Sequence, residues 1–373
     1  MIENMTPQEK HNALVKELAT KIGNSKSIKF KSNTLHCLRK KDIESESATY
    51  IEAVKLNNIL EINADEKYVV IEPSVTMEQL YDETSKFNLT IPVITEMKHM
   101  TIGGAIIGIG GESSSINYGL IDESVIEFEA ILGNGEIITV SEKKNSDLFN
   151  ALPGSYGSIC MLTKIKIRLI KMSKFIKVTY KTFSSAHDYI HAIKNLSKVD
   201  FIDSIYTKKN LFLMITGVYS DNVDNTKIID LHSDYCPVYA AHIENILVKL
   251  KNNNEYIEHM ATKDYIFRWD KGVFFVSNKK FGNSRLIRYL LGNKINSKNI
   301  YTLAHKKLNI KREYTRIFQD VMIPLNELPY ILNWVDDNIN IHPLWLLPIT
   351  KKTNKELFHL PCKMNELYIN IGI

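Results

Sequence analysis

The residues best placed to do chemistry lie between Ile91 and Gly119, where the chain reads Thr101-Ile-Gly-Gly-Ala-Ile-Ile-Gly108-Ile-Gly-Gly-Glu112-Ser-Ser-Ser-Ile-Asn-Tyr118-Gly119. Gly103, Gly104, Gly108, Gly110 and Gly111 remove side chains where backbone must turn sharply or lie against a ligand. Their N–H groups, if exposed, make a nest for an anion such as a pyrophosphate. The hydroxyls of Thr101, Ser113, Ser114 and Ser115 add donors at the same place. The spacing is neither Gly-x-Gly-x-x-Gly nor a phosphate loop ending in Gly-Lys-Ser/Thr. Taken alone, the glycines leave two readings open, a ligand loop and a tightly packed small-residue segment. A membrane helix fails on length and on Glu112.

The elements around this segment follow from pattern. Leu14, Leu18 and Ile22 recur at helical spacing and predict an amphipathic helix from about Pro7 to Ile22. Short strands are expected at 27–30, 50–54, 59–63 and 68–72, the last stopped by Pro73. Thr76 reads as the N-cap of a helix over 77–87. Strands at 125–132 and 136–140 flank Gly133-Asn-Gly135, a hairpin signal. A short helix over 147–152 and a long strand over 159–170 complete this half. After about Met172 the texture changes: strands at 175–183, 201–206 and 211–218 surround a helix near 189–196. Two further buried strands are expected at 344–348 and 367–371. The aromatic and basic stretch from Tyr265 to Phe275 stands out in this second region. Arg268 there is expected to orient a substrate or a cofactor phosphate, or else to pair with Asp270 or stack on Trp269.

Composition sets the class. The 373 residues are 44 % hydrophobic and 24 % charged, which is globular, and too long for one small module. A net charge of +5, spread along the chain, gives no nucleic-acid footprint. Four cysteines lie far apart, with no CxxC pair to hold zinc and no disulfide framework. The first ten residues lack the apolar core of a signal peptide, and no window approaches the ~20 apolar residues of a membrane span. A soluble, cytoplasmic protein is expected, at most peripheral to a membrane.

Several motifs in order then resemble a known group. They are Val70-Ile-Glu-Pro-Ser-Val-Thr-Met77, Pro92-Val-Ile-Thr-Glu96, Thr101-Ile-Gly-Gly104, Gly110-Gly-Glu-Ser-Ser-Ser115, Tyr118-Gly-Leu120 and Asn145-Ser-Asp-Leu-Phe149. Phe267-Arg-Trp-Asp-Lys-Gly272 and Asn365-Glu-Leu-Tyr-Ile-Asn-Ile-Gly372 extend the series. The series resembles the flavin-binding half of the vanillyl-alcohol-oxidase type enzymes and, more narrowly, the Delta(24)-sterol reductase (diminuto/dwarf) family. That resemblance implies an α+β fold. A two-part FAD-binding PCMH-type domain would cover residues 1–172 and an α+β substrate (cap) domain 173–343. Residues 344–373 would form a strand segment returning towards the flavin, before the family's C-terminal part.

By the same resemblance, non-covalent FAD is held by Thr101, Ile102, Gly103, Gly104, Gly108, Gly110, Gly111, Glu112, Ser113, Ser114, Tyr118 and Gly119. Lys31, Ser32 and Asn33 would supply opposing donors, and Gly157 would line the flavin ring or its ribityl chain. NADPH is the implied electron donor, and the implied reaction saturates a C=C bond in the side chain of a sterol or similar apolar substrate. Glu366, Tyr368 and Asn370 share one face of the final strand, which nominates Tyr368 and Glu366 as proton donors. The alternatives are a flavin oxidase of an alcohol or hydroxy acid, or a catalytically silent flavin-binding protein. The sequence departs from the family pattern at Lys98-His99, Ile116 and Gly154.

Overall fold

The structure, a computed structural model, describes residues 5–30, 48–231, 238–272, 284, 286, 289–290, 294–310, 320–353 and 362–372. Its first half is built on a five-stranded antiparallel sheet in the order 59–63, 68–71, 161–168, 125–131, 137–141. Alternation explains the strands: Val69, Ile71, Ile165 and Ile167 all turn into one core. The hairpin falls at Gly133–Gly135 as its sequence predicts, with Gly135 at φ +84° and Ile131 opposite Ile137. Helix Met77–Thr84 starts at Thr76, whose hydroxyl accepts from the Gln79 N–H. It packs Met77, Leu80 and Tyr81 into the same core.

The N-terminal helix, Pro7–Gly23, opens with a capping box between Thr6 and Glu9 and has proline in its first turn. It buries Val15, Leu18, Ala19 and Ile22 against Ile51, Leu56, Ile131 and Met161. His11 fixes it to the sheet, with Nδ1 2.8 Å from Glu72 and Nε2 2.9 Å from Glu129. Burial alone pushes this imidazole's pKa down, but the bonds and charges of Glu129 and Glu72 outweigh it and the net shift is upward. A raised folded-state pKa contributes stability that is complete below the unfolded value of 6.5 and is lost as pH rises through the folded value. Glu129 works oppositely. Burial raises its pKa, and bonds from His11, Lys164 and Thr163 lower it to about 2, so its contribution fades as pH falls from 4.5 towards that value. Urea titrations should therefore show wild type losing stability from near-neutral to alkaline pH, and His11→Gln losing distinctly less. Parallel pH curves for the two proteins would contradict the clamp.

The second half is an eight-stranded sheet in the order 228–229, 256–261, 175–183, 211–220, 201–208, 344–350, 367–372, 320–324. Every pair is antiparallel except 228–229 with 256–261. The change from one sheet to the other falls between Lys171 and Phe175. Strands 344–350 and 367–372 are interior members of this sheet. Helices Ala186–Lys194 and Leu328–Asn338 cover one face through Tyr189, Ile193, Leu328, Leu332 and Val335. Helix Tyr239–Leu250 packs on the opposite face with Trp269 and Tyr265. The sequence pattern did not reveal helices 239–250 and 328–338 or strand 256–261. Among the described residues no helix is long and apolar enough to cross a membrane.

Candidate functional site

The glycine segment is where the two sheets meet, and it is not a bare loop. Residues Ile102–Ile107 form a short helix capped by the Thr101 hydroxyl, which accepts from the Gly104 N–H. The expectation of an open amide nest is corrected at most of its positions. The N–H of Ile102 donates to Val75 O, that of Gly103 to Pro73 O, that of Gly108 to Gly104 O and that of Gly110 to Ala105 O. The first two donors hold the segment against Pro73 and Val75, the other two close it on itself, and none of the four can also serve an anion. Gly103 is glycine because a Cβ there would stand 2.6 Å from Pro73 Cβ and 2.8 Å from its carbonyl oxygen.

Gly104 and Gly108 differ. Both lack heavy cover and lie one helical turn apart. Among the described residues, a Cβ on Gly104 would meet the Thr101 hydroxyl at 2.9 Å, and one on Gly108 chiefly Gly104 O at 3.1 Å, with no side chain from another element within 4 Å of either. Ile107 shares this face. The turn at Gly157, φ +75°, stands beside it: a Cβ added there would lie within 4 Å of Ile107 Cδ1 and of the Phe30 ring. Phe30, Ile107, Gly104, Gly108 and Gly157 thus border a strip that no side chain of the described residues fills, suited to a flat ring or an extended chain. Lys31, Ser32 and Asn33 follow Phe30 directly in sequence and lie outside the described residues.

Beyond Gly108 the segment docks on the second sheet. Ser113 O accepts from the Ile202 N–H at 2.7 Å, and Asn117 Nδ2 donates to Val199 O at 2.8 Å. Ser113 and Ser114 are buried, and Tyr118 packs half-buried on the first core. Gly119 has φ +74° and ψ −152°, a region essentially reserved for glycine. This bend leaves room for the Glu123 carboxylate, which accepts from Leu120 N–H at 3.0 Å and Lys352 N–H at 2.7 Å. Gly111 sits under Leu120 and Ile349, so the second sheet reaches the glycines directly.

A buried ionic cluster closes the junction. Arg268 lies 3.0 Å from Asp203 and 3.6 Å from Glu112, donates to Tyr265 O at 2.7 Å, and stacks 4.2 Å from the Tyr265 ring centroid. Asp203 also accepts from the indoles of Trp269 and Trp345 at 3.3 and 3.1 Å. The expected pairing of Arg268 with Asp270 is corrected: Asp270 instead accepts from the Lys98 N–H and the Ser297 hydroxyl. Sequence reading passed over Asp203, although a charge inside the buried run Phe201-Ile-Asp-Ser-Ile-Tyr206 was a signal in itself.

Tyr368 and Asn370 share a face with Ile349 and Leu347, their cross-strand partners, and that face looks towards Leu120. The Tyr368 hydroxyl accepts from the Lys363 N–H at 2.9 Å and donates to Glu366 at 3.2 Å. Glu366 is exposed and precedes the strand. Tyr368 borders a small cleft with Leu120, Met322 and Cys362, one side chain removed from the glycines.

Residues 24–141 match the family described as FAD binding domain, so the strip and the capped glycine helix lie within or beside an FAD-binding fold of α+β type. More particularly, the protein is similar to the Delta(24)-sterol reductases. It is 29 % identical to that of Rattus norvegicus over 86 % of this chain and 63 % of the relative, and 29 % identical to that of Arabidopsis thaliana over 83 % and 57 %. Cytokinin dehydrogenase 1 of Arabidopsis thaliana is 26 % identical over 52 % of this chain and 34 % of its own length. The protein thus contains an FAD binding domain and is a relative of the Delta(24)-sterol reductases over most of its length. It spans less than two thirds of the length of the reductases named here.

Proposed function

We propose that the protein is an FAD-dependent oxidoreductase that reduces a C=C bond in the side chain of a sterol-like substrate, with NADPH as electron donor. The observation that carries this reading is the strip at Gly104, Gly108 and Gly157, free of side chains among the described residues and set beside an apolar junction between two sheets. FAD, when bound, supplies hydride transfer. The protein's own part is to bind, orient and exclude water. Lys31, Ser32 and Asn33 would meet the dinucleotide from one side. Thr101 to Gly104, Gly108, Gly110, Gly111, Ser113, Ser114, Tyr118 and Gly119 would shape or floor its site, with Gly157 beside it. Residues 1–172 would be the cofactor part, 173–343 the substrate part, and 344–373 the strands that bring Tyr368 and Glu366 near the junction. Attachment to FAD would be non-covalent, and the protein would work in the cytoplasm at a membrane surface, where sterols reside.

A second reading, oxidation of an alcohol or hydroxy acid, is favoured by the likeness to cytokinin dehydrogenase 1 over half the sequence. One experiment separates them. Purified protein should be yellow, bleach anaerobically with NADPH, and recover its colour when desmosterol is added. Bleaching by an alcohol, with peroxide released in air, would support the oxidase. Protein that never retains FAD would contradict both.

A further inference from the structure

Glu112 stands in the middle of the glycine–serine segment, buried, and among the described residues no cationic or hydroxyl side chain hydrogen-bonds its carboxyl oxygens, whose close polar neighbours are the Glu96 carboxyl and the Ser113 amide. Its contact with Arg268, 3.6 Å, is too long for a hydrogen bond. That guanidinium is engaged by Asp203 at 3.0 Å and by Tyr265 O at 2.7 Å. The other groups facing Glu112 are the Glu96 carboxyl, the Ser113 amide and the Tyr265 phenol. Three carboxyls therefore gather around one guanidinium, and the best-placed of them, Asp203, already neutralises it. A second or third negative charge there would be buried without compensation, which is the costly case. On its other side Glu112 borders a cleft between the two halves of the protein, with Ile91, Pro92, Ile94, Phe201 and Ile266 among its walls. A buried carboxyl set against a second carboxyl, at the edge of a largely apolar cleft that also carries the Thr90, Ser113 and Ser114 hydroxyls, is poorly suited to touch an anionic diphosphate and well suited to carry a proton.

We infer that Glu112 is held as the neutral acid in the folded protein and is the general acid that protonates the substrate alkene from this cleft. Burial first, then the charges of Glu96 and Asp203, raise its pKa well above the carboxylate range, with Arg268 opposing. The inference rests on the reductive reading above. Saturating a C=C bond takes two electrons, one hydride and one proton. The π pair forms a C–H bond to the proton leaving the Glu112 carboxyl, and the neighbouring carbon accepts the hydride that NADPH supplies by way of the cofactor. The Glu112 carboxylate left behind regains its proton from solvent. Tyr368, whose hydroxyl is already shared with Glu366 and the Lys363 amide, is then a supporting residue beyond Leu120.

Two measurements on full-length Glu112→Gln test this, one of them independent of turnover. In urea titrations of FAD-free protein, a raised carboxyl pKa makes wild type lose stability as pH climbs above 4.5 towards the folded value, because only the native state keeps the proton. Glu112→Gln removes that loss, so it should be at least as stable as wild type at pH 8. A variant that is less stable than wild type, and more so at pH 8 than at pH 5, would make Glu112 an ionised partner of Arg268 and overturn the inference. In FAD-loaded protein reduced anaerobically with NADPH, reoxidation by desmosterol should fall about 10²-fold relative to the rate of reduction, with partial recovery in Glu112→Asp. Reoxidation of Glu112→Gln at the wild-type rate would overturn the inference alone. A wild-type protein that desmosterol never reoxidises would remove the reductive reading, and the acid's role with it.

Discussion

Arg268→Leu should lower the unfolding free energy by about 3–5 kcal/mol, because removing one member of a buried pair strands the other. Arg268 and Asp203 are both almost fully buried. The two indole donors that remain on Asp203 are neutral and cannot replace a guanidinium. Arg268→Lys should rescue little, since a point charge does not reproduce the guanidinium that reaches Tyr265 O and Asp203 together. Urea unfolding of the two variants measures both effects. A deficit below about 1 kcal/mol, the scale of a surface pair, would mean the cluster is solvated in solution.

The second large effect separates two adjacent glycines. Gly103→Ala should destabilise the protein by about 3 kcal/mol, at the upper end of ordinary overpacking, because the new methyl meets the rigid Pro73 ring and its backbone rather than a movable side chain. Gly104→Ala should change stability by no more than about 1 kcal/mol. There alanine's gain of about 1 kcal/mol in helix propensity roughly offsets a disturbed Thr101 cap. Thermal unfolding of the two apoproteins is the check. Equal effects would mean that the helix packs on Pro73 differently from the way described.

These contrasts show what was legible in the sequence. Local signals carried well: the Gly133–Gly135 hairpin, the Thr76 cap and the alternation of strands 161–168 and 175–183 all depend on near neighbours. The short helix at 102–107 did not, since glycines disfavour helix and its first amides are held by Pro73 and Val75, a tertiary contact. Helices 239–250 and 328–338 were missed although Tyr239, Ile243, Ile246 and Leu250 recur at helical spacing. The side chains of their N-caps, Val238 and Glu327, make no capping hydrogen bond, so the usual start signal is missing. Of the site, motif order pointed to the glycine segment, but the split between packing glycines (Gly103, Gly110, Gly111) and open ones (Gly104, Gly108) is set by contacts with Pro73, Thr95, Leu120 and Ile349, distant in sequence from one another. Asp203 was readable as a charge in an apolar strand. Its partner, 65 residues further on, was not.

The central claim is that a dinucleotide lies along the open face at Gly104 and Gly108, and titration of FAD into apo Gly104→Ala and Gly108→Ala addresses it most directly. Both positions are exposed, so each methyl is added at the surface rather than in the core. Both variants should unfold close to wild type yet bind FAD at least about tenfold more weakly, a loss of some 1.4 kcal/mol per site. Wild-type FAD affinity and stoichiometry in both folded variants would place the cofactor elsewhere and contradict the account.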